Sequence, residues 1–259
     1  MEIRYFQIDA FTDRVFSGNP AGVCFLDSWA DDRILQSIAS ENDLSETAFL
    51  VQRADHYELR WFTPSQEVDL CGHATLASAF AIFENITPKA ERVEFQTKSG
   101  RLSAKRHGDL IMMDFPAHPP LPCKMPDNIG EIMGIPPLLT LRSRDLLAVY
   151  EEEEQIRRLK PDMAGVAALD HFAVIVTAPG ENCDFVSRFF APGAGVPEDP
   201  VTGSSHCTLV PYWSRRLGKK ELHAFQLSER GGELFCIDRG DRISIGGRAL
   251  TYLSGTIWI

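Results

Sequence analysis

The chain has 259 residues, of which 44% are apolar and 10% aromatic, a composition typical of a globular protein large enough for two domains. Its 36 acidic side chains outnumber the 26 basic ones, and the net charge of −10 is spread along the chain. Because nucleic acids and anionic membranes attract basic surfaces, this charge argues against both as partners. No apolar run approaches a membrane span, and the first residues do not resemble a signal peptide. We therefore expect a cytoplasmic protein.

The six cysteines lie far apart, without a C-x-x-C pair. Reduced and mostly buried thiols are expected in a chain of this kind, and the lack of tight ligand pairs predicts no metal site. They are Cys24, Cys71, Cys123, Cys183, Cys207 and Cys236.

The first half of the chain predicts short β-strands around one helix of small residues. β-rich composition and glycine-containing turns define the strands Ile3–Phe11, Ala21–Phe25, Thr47–Gln52, Tyr57–Phe62, Arg92–Thr97, Arg101–Arg106 and Leu110–Phe115. An amphipathic helix is expected after Ser28, which together with Asp31 resembles a capping box. The helix of small residues covers Gly72–Phe83.

The proline-rich segment Pro116–Pro126 predicts a linker, and the second half repeats the pattern of the first. Its predicted strands are His171–Thr177, Asp184–Phe190, Ala224–Ser228, Glu233–Asp238, Arg242–Ile245 and a last strand, Ser254–Ile259, which could pair with either half. A solvated helix is expected over Glu151–Leu159. A helix of small residues covers Gly203–Leu217, and Pro211 is expected to kink it.

Several residues recur in the same order about 130 positions later, which indicates an internal duplication. Arg60-Trp61-Phe62-Thr63-Pro64 matches Arg188-Phe189-Phe190-Ala191-Pro192, Gly72 matches Gly203, Phe95-Gln96 matches Phe225-Gln226, and Gly108-Asp109 matches Gly240-Asp241. The alternative is two independent domains with coincidental matches. We expect an α+β fold of two pseudo-symmetric duplicated domains, residues 1–116 and 126–259, each a mainly antiparallel sheet or barrel around a central helix.

Gly72 and Gly203 each begin a helix directly after a polar turn. The first N–H groups of a helix lack internal partners and carry partial positive charge, so each helix start could bind a carboxylate. If the halves are related by a two-fold axis, the two starts could face one cleft and stabilise an enolate-like charge. The alternative is that both are simple helix-start glycines.

This arrangement is similar to that of two-thiol amino-acid racemases, in which each half contributes one cysteine. Cys71 would be the first thiol, but the second half has Thr202 at the matching position. A threonine hydroxyl is too weakly acidic to replace a thiol, so we interpret Cys71 as a packing residue.

Four segments together identify a family: Ser17–Val23 (S-G-N-P-A-G-V), Ser45–Phe49 (S-E-T-A-F), Asp69–Thr75 (D-L-C-G-H-A-T) and Glu198–Ser204 (E-D-P-V-T-G-S). In order and spacing they resemble the motifs of the PhzF-like family, the phenazine-biosynthesis isomerase and its relatives, built on the diaminopimelate-epimerase fold. The resemblance covers essentially the whole chain.

The resemblance implies a cofactor-independent and metal-free isomerase that moves a proton on a dihydro-hydroxyanthranilate-like carboxylate. It assigns Glu46 as general base and then acid, with His73 and Asp199 as further catalytic residues. The amides of Gly72, His73, Gly203 and Ser204 would bind the substrate carboxylate. A homodimer is also implied.

The residues themselves are compatible with these roles, because a partly buried carboxylate can take a proton from one carbon and return it to another. Without the family, Glu46 could be an exposed loop carboxylate and Asp199 a helix cap. His206 and Cys207 are interpreted as packing residues. Two alternative functions stay open: an epimerase that depends on Cys71, and a non-catalytic protein that binds small carboxylates.

Overall fold

A computed structural model describes all residues from Met1 to Ile259, and they form two compact units. The first unit comprises Met1–Asp114 and Gly246–Ile259, and the second comprises Phe115–Ile245. Both mix strands with helices, which confirms the expected α+β class. None of the helices is long and apolar enough to cross a membrane.

The strands in chain order are β1 Glu2–Ala10, β2 Asn19–Leu26, β3 Glu46–Gln52, β4 Tyr57–Phe62, β5 Glu67–Val68, β6 Arg92–Thr97, β7 Gly100–His107, β8 Leu110–Pro116, β9 Leu121–Pro122, β10 Leu139–Arg142, β11 Leu146–Val149, β12 Val174–Pro179, β13 Phe185–Phe190, β14 Glu221–Gln226, β15 Gly232–Asp238, β16 Arg242–Gly247 and β17 Ala249–Trp258. The α-helices are α1 Asp32–Asn42, α2 Gly72–Ala81, α3 Ile129–Met133, α4 Glu153–Arg158, α5 Met163–Ala167 and α6 Gly203–Leu217.

In the first unit, β1 pairs antiparallel with both β2 and β17. The sheet then continues with β2 parallel to β3, β3 antiparallel to β4, β4 parallel to β6, and β6 antiparallel to β7. Parallel neighbours require a crossover connection. Here α1 connects β2 to β3, and α2 lies between β4 and β6.

The second unit repeats this succession of pairings. β10 is antiparallel to β11, β11 is parallel to β12, β12 is antiparallel to β13, β13 is parallel to β14, and β14 is antiparallel to β15. The crossovers also correspond, since α4 and α5 lie between β11 and β12, and α6 lies between β13 and β14. The shared order of pairings and crossovers confirms the duplicated fold.

The helices made of small residues are the central helices of their units. Every residue of α2 except Phe80 is buried, and the helix packs against β1, β2, β3 and β17. Small side chains allow this close approach from all sides, whereas a surface helix would have one polar face. In α6, Pro211 has no N–H to donate to the carbonyl of Cys207. The N–H of His118 donates to that carbonyl instead, at 2.8 Å.

Sequence prediction missed the short strands β5, β9 and β10 and the buried strand β11. The residues of β11, Leu146–Val149, are all buried, so they show no alternation between apolar and polar side chains. The cap of α1 was also wrong, because Asp31 rather than Ser28 is its N-cap and accepts a hydrogen bond from the N–H of Arg33 at 2.8 Å.

The helix expected over Glu151–Leu159 forms as α4, but it is not solvated on all sides. Glu153 is 7% exposed, pairs with Arg157 and accepts the N–H of Glu181 at 2.8 Å. The last strand is longer than predicted and pairs with β1. The C-terminal residues therefore belong to the first unit, which divides the chain differently from the predicted boundaries.

Candidate active site

Strand order in the first unit brings the polar residues of three motifs to one edge. β2 and β3 are parallel, so Asn19 and Glu46, the first residues of these strands, lie at the same edge. β4 runs antiparallel to β3, and Phe62 pairs with Thr47, so β4 ends at this edge as well. The chain then turns and starts α2 at Gly72, which places His73 near Asn19 and Glu46.

Gly18 fixes the backbone that carries Asn19. Its φ is +68°, and a Cβ atom there would lie 2.2 Å from the carbonyl oxygen of Ala10. Only glycine fits such a position without strain or displacement. This explains the glycine of the S-G-N-P segment, because the tight turn sets the start of β2 opposite Ala10.

The His73 ring lies among three functional side chains. Its Nε2 is 3.1 Å from Oε2 of Glu46, while its Nδ1 is 3.1 Å from Nδ2 of Asn19 and 3.5 Å from Sγ of Cys71. The His73 side chain is 5% exposed and that of Glu46 is 18% exposed. Oε2 of Glu46 is buried and makes no well-aligned hydrogen bond, so its contact with His73 is an ionic one at short distance.

The electrostatics of this cluster favour a charged His73 beside a neutral Cys71. Burial, assisted by the Glu46 carboxylate, raises the pKa of the Cys71 thiol to about 11. Burial alone would lower the pKa of His73, but interactions with Cys71 and Glu46 outweigh it and raise that pKa well above its usual value. Since the Cys71 thiol is neutral, we ascribe the rise to the carboxylate of Glu46.

The amino end of α2 has no side-chain cap. Its N-cap, Cys71, makes no side-chain capping hydrogen bond. The side chain of Thr75 donates to the Cys71 carbonyl at 2.5 Å, so it does not occupy the helix start. The N–H groups of the first turn, including those of Gly72 and His73, are therefore suited to bind an anion.

A bidentate ion pair, which the sequence analysis did not identify, holds the turn before α2. Nε and Nη2 of Arg60 donate to the two carboxylate oxygens of Glu67 at 2.7 and 2.8 Å. The guanidinium group also lies over the rings of Trp29 and Phe62. Bidentate pairs of this kind fix direction as well as distance, so the pair orients the segment that leads to His73.

The second unit has its own ordered segment before α6. Oγ1 of Thr202 donates to Oδ2 of Asp199 at 2.5 Å. Gln226 bridges the same segment, accepting the N–H of Thr202 and donating to the carbonyl of Asp199, each at 2.8 Å. No side chain caps α6, and Ser204 in its first turn is partly exposed.

The Arg60–Glu67 pair has a counterpart in the second unit. Arg188 donates to both oxygens of Glu198 at 2.7 and 2.9 Å, and its Nη1 donates to the carbonyls of Ile156 and Leu159. Since Glu198 directly precedes Asp199, this pair orients the segment before α6. The repeated arginine was one of the matches that indicated duplication, but its acidic partners stand at different distances along the chain.

The duplicated units do not carry equivalent reactive side chains. It aligns Phe62 with Phe190, whose strand partners are Thr47 and Val174. The counterpart of Glu46 is therefore Ala173, a buried apolar residue. Ser204 likewise stands where the first unit has His73. Of the two helix starts, only that of the first unit lies beside a carboxylate paired with histidine.

The structure thus brings Glu46, Gly72 and His73 together in the first unit, and Asp199, Gly203 and Ser204 together in the second. Their catalytic and binding roles stay predictions. The sequence analysis missed the contact between Asn19 and His73, although Asn19 belongs to the S-G-N-P motif. His206 is completely buried, and Cys207 nearly so, in accord with packing roles.

Comparison with known proteins agrees over the full length of the chain. The family described as phenazine biosynthesis-like protein matches residues 8–255. An uncharacterized isomerase of Pseudomonas aeruginosa is 51% identical over 257 residues, which cover 99% of both chains. The crystal structure of a phenazine biosynthesis protein of the PhzF family from Enterococcus faecalis has a TM-score of 0.98 and 42% identity, covering all of both chains.

A more distant structure shares the fold alone. A hydroxyproline epimerase from Agrobacterium vitis, crystallised with trans-4-hydroxy-L-proline, has a TM-score of 0.63 at 10% identity, covering 99% of this chain and 92% of the epimerase. The duplicated architecture is therefore common to isomerases and epimerases. The chain belongs to the PhzF-like family of phenazine biosynthesis-like proteins, and it is an enzyme of the isomerase type.

Proposed function

We propose that this protein is a cofactor-independent isomerase that moves a proton between carbon atoms of a small cyclic or unsaturated amino or hydroxy carboxylate. The observation that supports this most directly is the pair formed by Oε2 of Glu46 and Nε2 of His73, 3.1 Å apart, beside the uncapped start of α2. A substrate similar to trans-2,3-dihydro-3-hydroxyanthranilate fits the family resemblance.

In the first step, the substrate carboxylate binds the N–H groups of Gly72 and His73. The partial positive charge of the helix start favours the anion. It also stabilises negative charge that develops on the substrate when a neighbouring C–H bond breaks.

In the second step, the Glu46 carboxylate removes a proton from one carbon atom. The electron pair of the broken C–H bond moves into the unsaturated system of the substrate, and Glu46 becomes a neutral acid. Glu46 then gives a proton to a different carbon, either the one it removed or one that the partly exposed acid has exchanged with water, and a new C–H bond forms. The double bond has moved, the carboxylate is regenerated, and no other reactant is consumed.

His73 stabilises the starting state of Glu46 and directs it. An imidazolium ion next to the carboxylate keeps the base oriented. When Glu46 takes up the proton, the ring loses its ionic partner and can donate to a hydroxyl or amino group of the substrate. The side-chain amide of Asn19 lies 3.1 Å from the other ring nitrogen, and it can accept from the imidazolium only through its oxygen, because its nitrogen is a donor.

Asp199, Gly203 and Ser204 are proposed to act on the same substrate molecule, as the family resemblance implies. The uncapped start of α6 supports a role in binding the substrate carboxylate. If this is correct, Ser204→Ala raises KM more than it lowers kcat. Unchanged kinetics in this variant would contradict a binding role for the Ser204 side chain.

The test is hydrogen exchange in D2O with a panel of small cyclic unsaturated carboxylates, followed by NMR or mass spectrometry. Wild-type protein should incorporate deuterium at carbon, and Glu46→Gln should abolish the incorporation. Glu41→Gln is the matched control, because Glu41 is an exposed residue of α1. Exchange at the wild-type rate in Glu46→Gln would remove Glu46 from the mechanism.

The alternative is an epimerase in which Cys71 is the essential base. The location of Cys71 at the start of α2, 3.5 Å from Nδ1 of His73, gives this alternative a structural basis. The raised pKa of the buried thiol disfavours the thiolate that such a reaction needs. Deuterium exchange by Cys71→Ala separates the two, since the isomerase keeps exchange and the epimerase loses it.

Two further expectations belong to the proposal. The protein is expected to be cytoplasmic and to form a homodimer, as the family resemblance implies. Sedimentation velocity measures the second directly, and a monomer at micromolar concentration would contradict it.

A further inference from the structure

Gln226, the last residue of β14, has a completely buried side chain whose hydrogen bonds go to the segment before α6. Its Oε1 accepts the N–H of Thr202 at 2.8 Å, and its Nε2 donates to the carbonyl of Asp199 at 2.8 Å. A backbone N–H only donates and a carbonyl oxygen only accepts, so these contacts fix which end of the amide is the oxygen. One side chain therefore joins the two ends of the segment that carries Asp199.

The same amide also contacts the hydroxyl group that holds the Asp199 carboxylate. Nε2 of Gln226 lies 3.2 Å from Oγ1 of Thr202, and this Oγ1 donates to Oδ2 of Asp199. A hydroxyl that accepts from the amide keeps its own hydrogen for the carboxylate, and such chained bonds reinforce one another. Gln226 therefore fixes both the backbone of Asp199 and the direction of its carboxylate.

The first unit has no glutamine at the equivalent place, although the sequence suggests one. Sequence matching aligns Phe95-Gln96 with Phe225-Gln226. In the observed pairings of β6 with β4 and of β14 with β13, the counterpart of Gln226 is instead Thr97, and each of the two ends its strand. A shift of one residue moves a side chain to the other face of a strand. Gln96 is accordingly exposed, whereas Gln226 is buried.

A simpler contact supports the helix start in both units. Oγ of Ser99 donates to the carbonyl of Asp69, and Oγ of Ser228 donates to the carbonyl of Pro200, each at 2.7 Å. Asp69 and Pro200 each lie three residues before the glycine that begins the central helix of the unit. Because α2 begins without a counterpart of Gln226, starting a helix does not require that glutamine. Its contacts with the segment before α6 are an addition specific to the second unit.

We propose that Gln226 is a positioning residue, which holds the Asp199 carboxylate in the orientation that catalysis requires. This role rests on the proposed function, in which Asp199 acts on the bound substrate. Misplacement of a catalytic group by about 1 Å can cost about a hundredfold in rate. The loss should appear in kcat rather than in KM, because the contact from Ser228 keeps the start of α6, with its anion-binding N–H groups, in place.

The first test is Gln226→Met, which keeps the length of the side chain and removes its polar contacts. In the deuterium-exchange assay its kcat should fall at least about tenfold, while KM changes less than about twofold. Gln96→Met is the matched control, because Gln96 is an exposed residue of β6, and it should leave both constants unchanged. Amide hydrogen exchange followed by NMR tests the contact without substrate, since the N–H of Thr202 should exchange faster in Gln226→Met than in wild type.

Gln226→Glu separates positioning from packing, because it keeps the size of the side chain and changes its ability to donate. A neutral carboxyl group can accept from Thr202 and donate to the carbonyl of Asp199, whereas a carboxylate can only accept. The charged group beside it is Asp199; the residues paired with it on β13 and β15 are uncharged, and burial lowers the pKa of His206 in α6 to about 4. Relative to wild type at the same pH, kcat should exceed that of Gln226→Met at low pH and fall as the introduced group ionises.

Unchanged kcat in Gln226→Met, or a loss confined to KM, would overturn the positioning role. So would a Gln226→Glu variant no more active than Gln226→Met at any pH, or equal exchange of the Thr202 amide in wild type and Gln226→Met. Circular dichroism establishes that each variant is folded, and Gln226→Glu at low and high pH decides the question if Gln226→Met is not. Impaired Asp199→Asn beside unimpaired Gln226→Met refutes the positioning role alone, whereas wild type without exchange on any substrate refutes the proposed isomerase.

Discussion

Substitution of Gly18 by alanine tests how the S-G-N-P segment sets the site. Gly18 is buried between β1 and β2, with φ at +68°. Its missing side chain leaves room for the carbonyl oxygen of Ala10 and the methyl group of Thr12, which would be 2.2 and 2.7 Å from a Cβ atom. Alanine at this position must therefore displace backbone, and the strand that starts at Asn19 must move with it.

The magnitude can be separated into two parts. A left-handed backbone costs an alanine roughly 1–2 kcal/mol, and about 0.4–1 kcal/mol is regained because the unfolded chain loses freedom. Gly108 has a similar φ of +63°, but nothing lies within 4 Å of its Cβ position. Gly108→Ala therefore has the same backbone cost and the same gain from the unfolded chain, but its Cβ atom collides with no neighbouring atom. Overpacking typically costs about 1–3 kcal/mol, which is the expected difference between the two variants.

Chemical denaturation followed by tryptophan fluorescence measures the free energy of unfolding of wild type, Gly18→Ala and Gly108→Ala. Gly18→Ala should be less stable than Gly108→Ala by about 1–3 kcal/mol. Of the two variants, only Gly18→Ala should lower the rate of deuterium exchange. The functional effect follows from the shift of Asn19 against the His73 ring. Equal stability of the two variants would refute the collision, and unaltered exchange in Gly18→Ala would refute its link to the site.

Two further stability predictions concern the second unit. Glu198→Gln should cost about 1–3 kcal/mol, because it weakens the two charge-assisted bonds from the half-buried Arg188. Asp127→Asn, in an exposed pair with Lys124, should cost less than about 1 kcal/mol, and equal effects would contradict this ranking. Burial lowers the pKa of His206 from 6.5 to about 4, so the unfolded chain binds the proton more tightly than the folded one. Stability should therefore fall as pH decreases from 6.5 to 4, by up to about 3 kcal/mol more in wild type than in His206→Gln; parallel pH profiles of the two proteins would exclude His206 as the cause.

Much of the fold could be predicted from local patterns. Strands such as Tyr57–Phe62 and Arg92–Thr97 have the predicted bounds, because their composition and flanking turns agree. The helix Gly203–Leu217 was also predicted with its observed bounds. The turn glycines Gly100 and Gly240 have φ of +98° and +94°, which no other residue adopts as readily.

The missed features depend on contacts between distant segments. Composition cannot reveal that the last strand pairs with β1, because either half offers a strand edge of similar character. The partners of Arg60 and Arg188 stand at unequal spacings, so no repeat of the acidic residues was visible. The approach of Asn19 to His73 depends on the packing of α2 against β2, which joins segments far apart in the chain.

The inequality of the two units bears on the stereochemistry of the reaction. Inversion at a carbon atom needs a base on one face and an acid on the other, and two-thiol racemases supply one from each half. Here the counterparts of Glu46, Cys71 and His73 are Ala173, Thr202 and Ser204, none of which exchanges protons near neutral pH. In the proposed mechanism Glu46 both removes and returns the proton, so both steps should occur on the same face of the substrate. Deuterium placed stereospecifically on the substrate and located in the product by NMR measures this, and transfer to the opposite face would contradict it and indicate a second acid, for which Asp199 is the candidate.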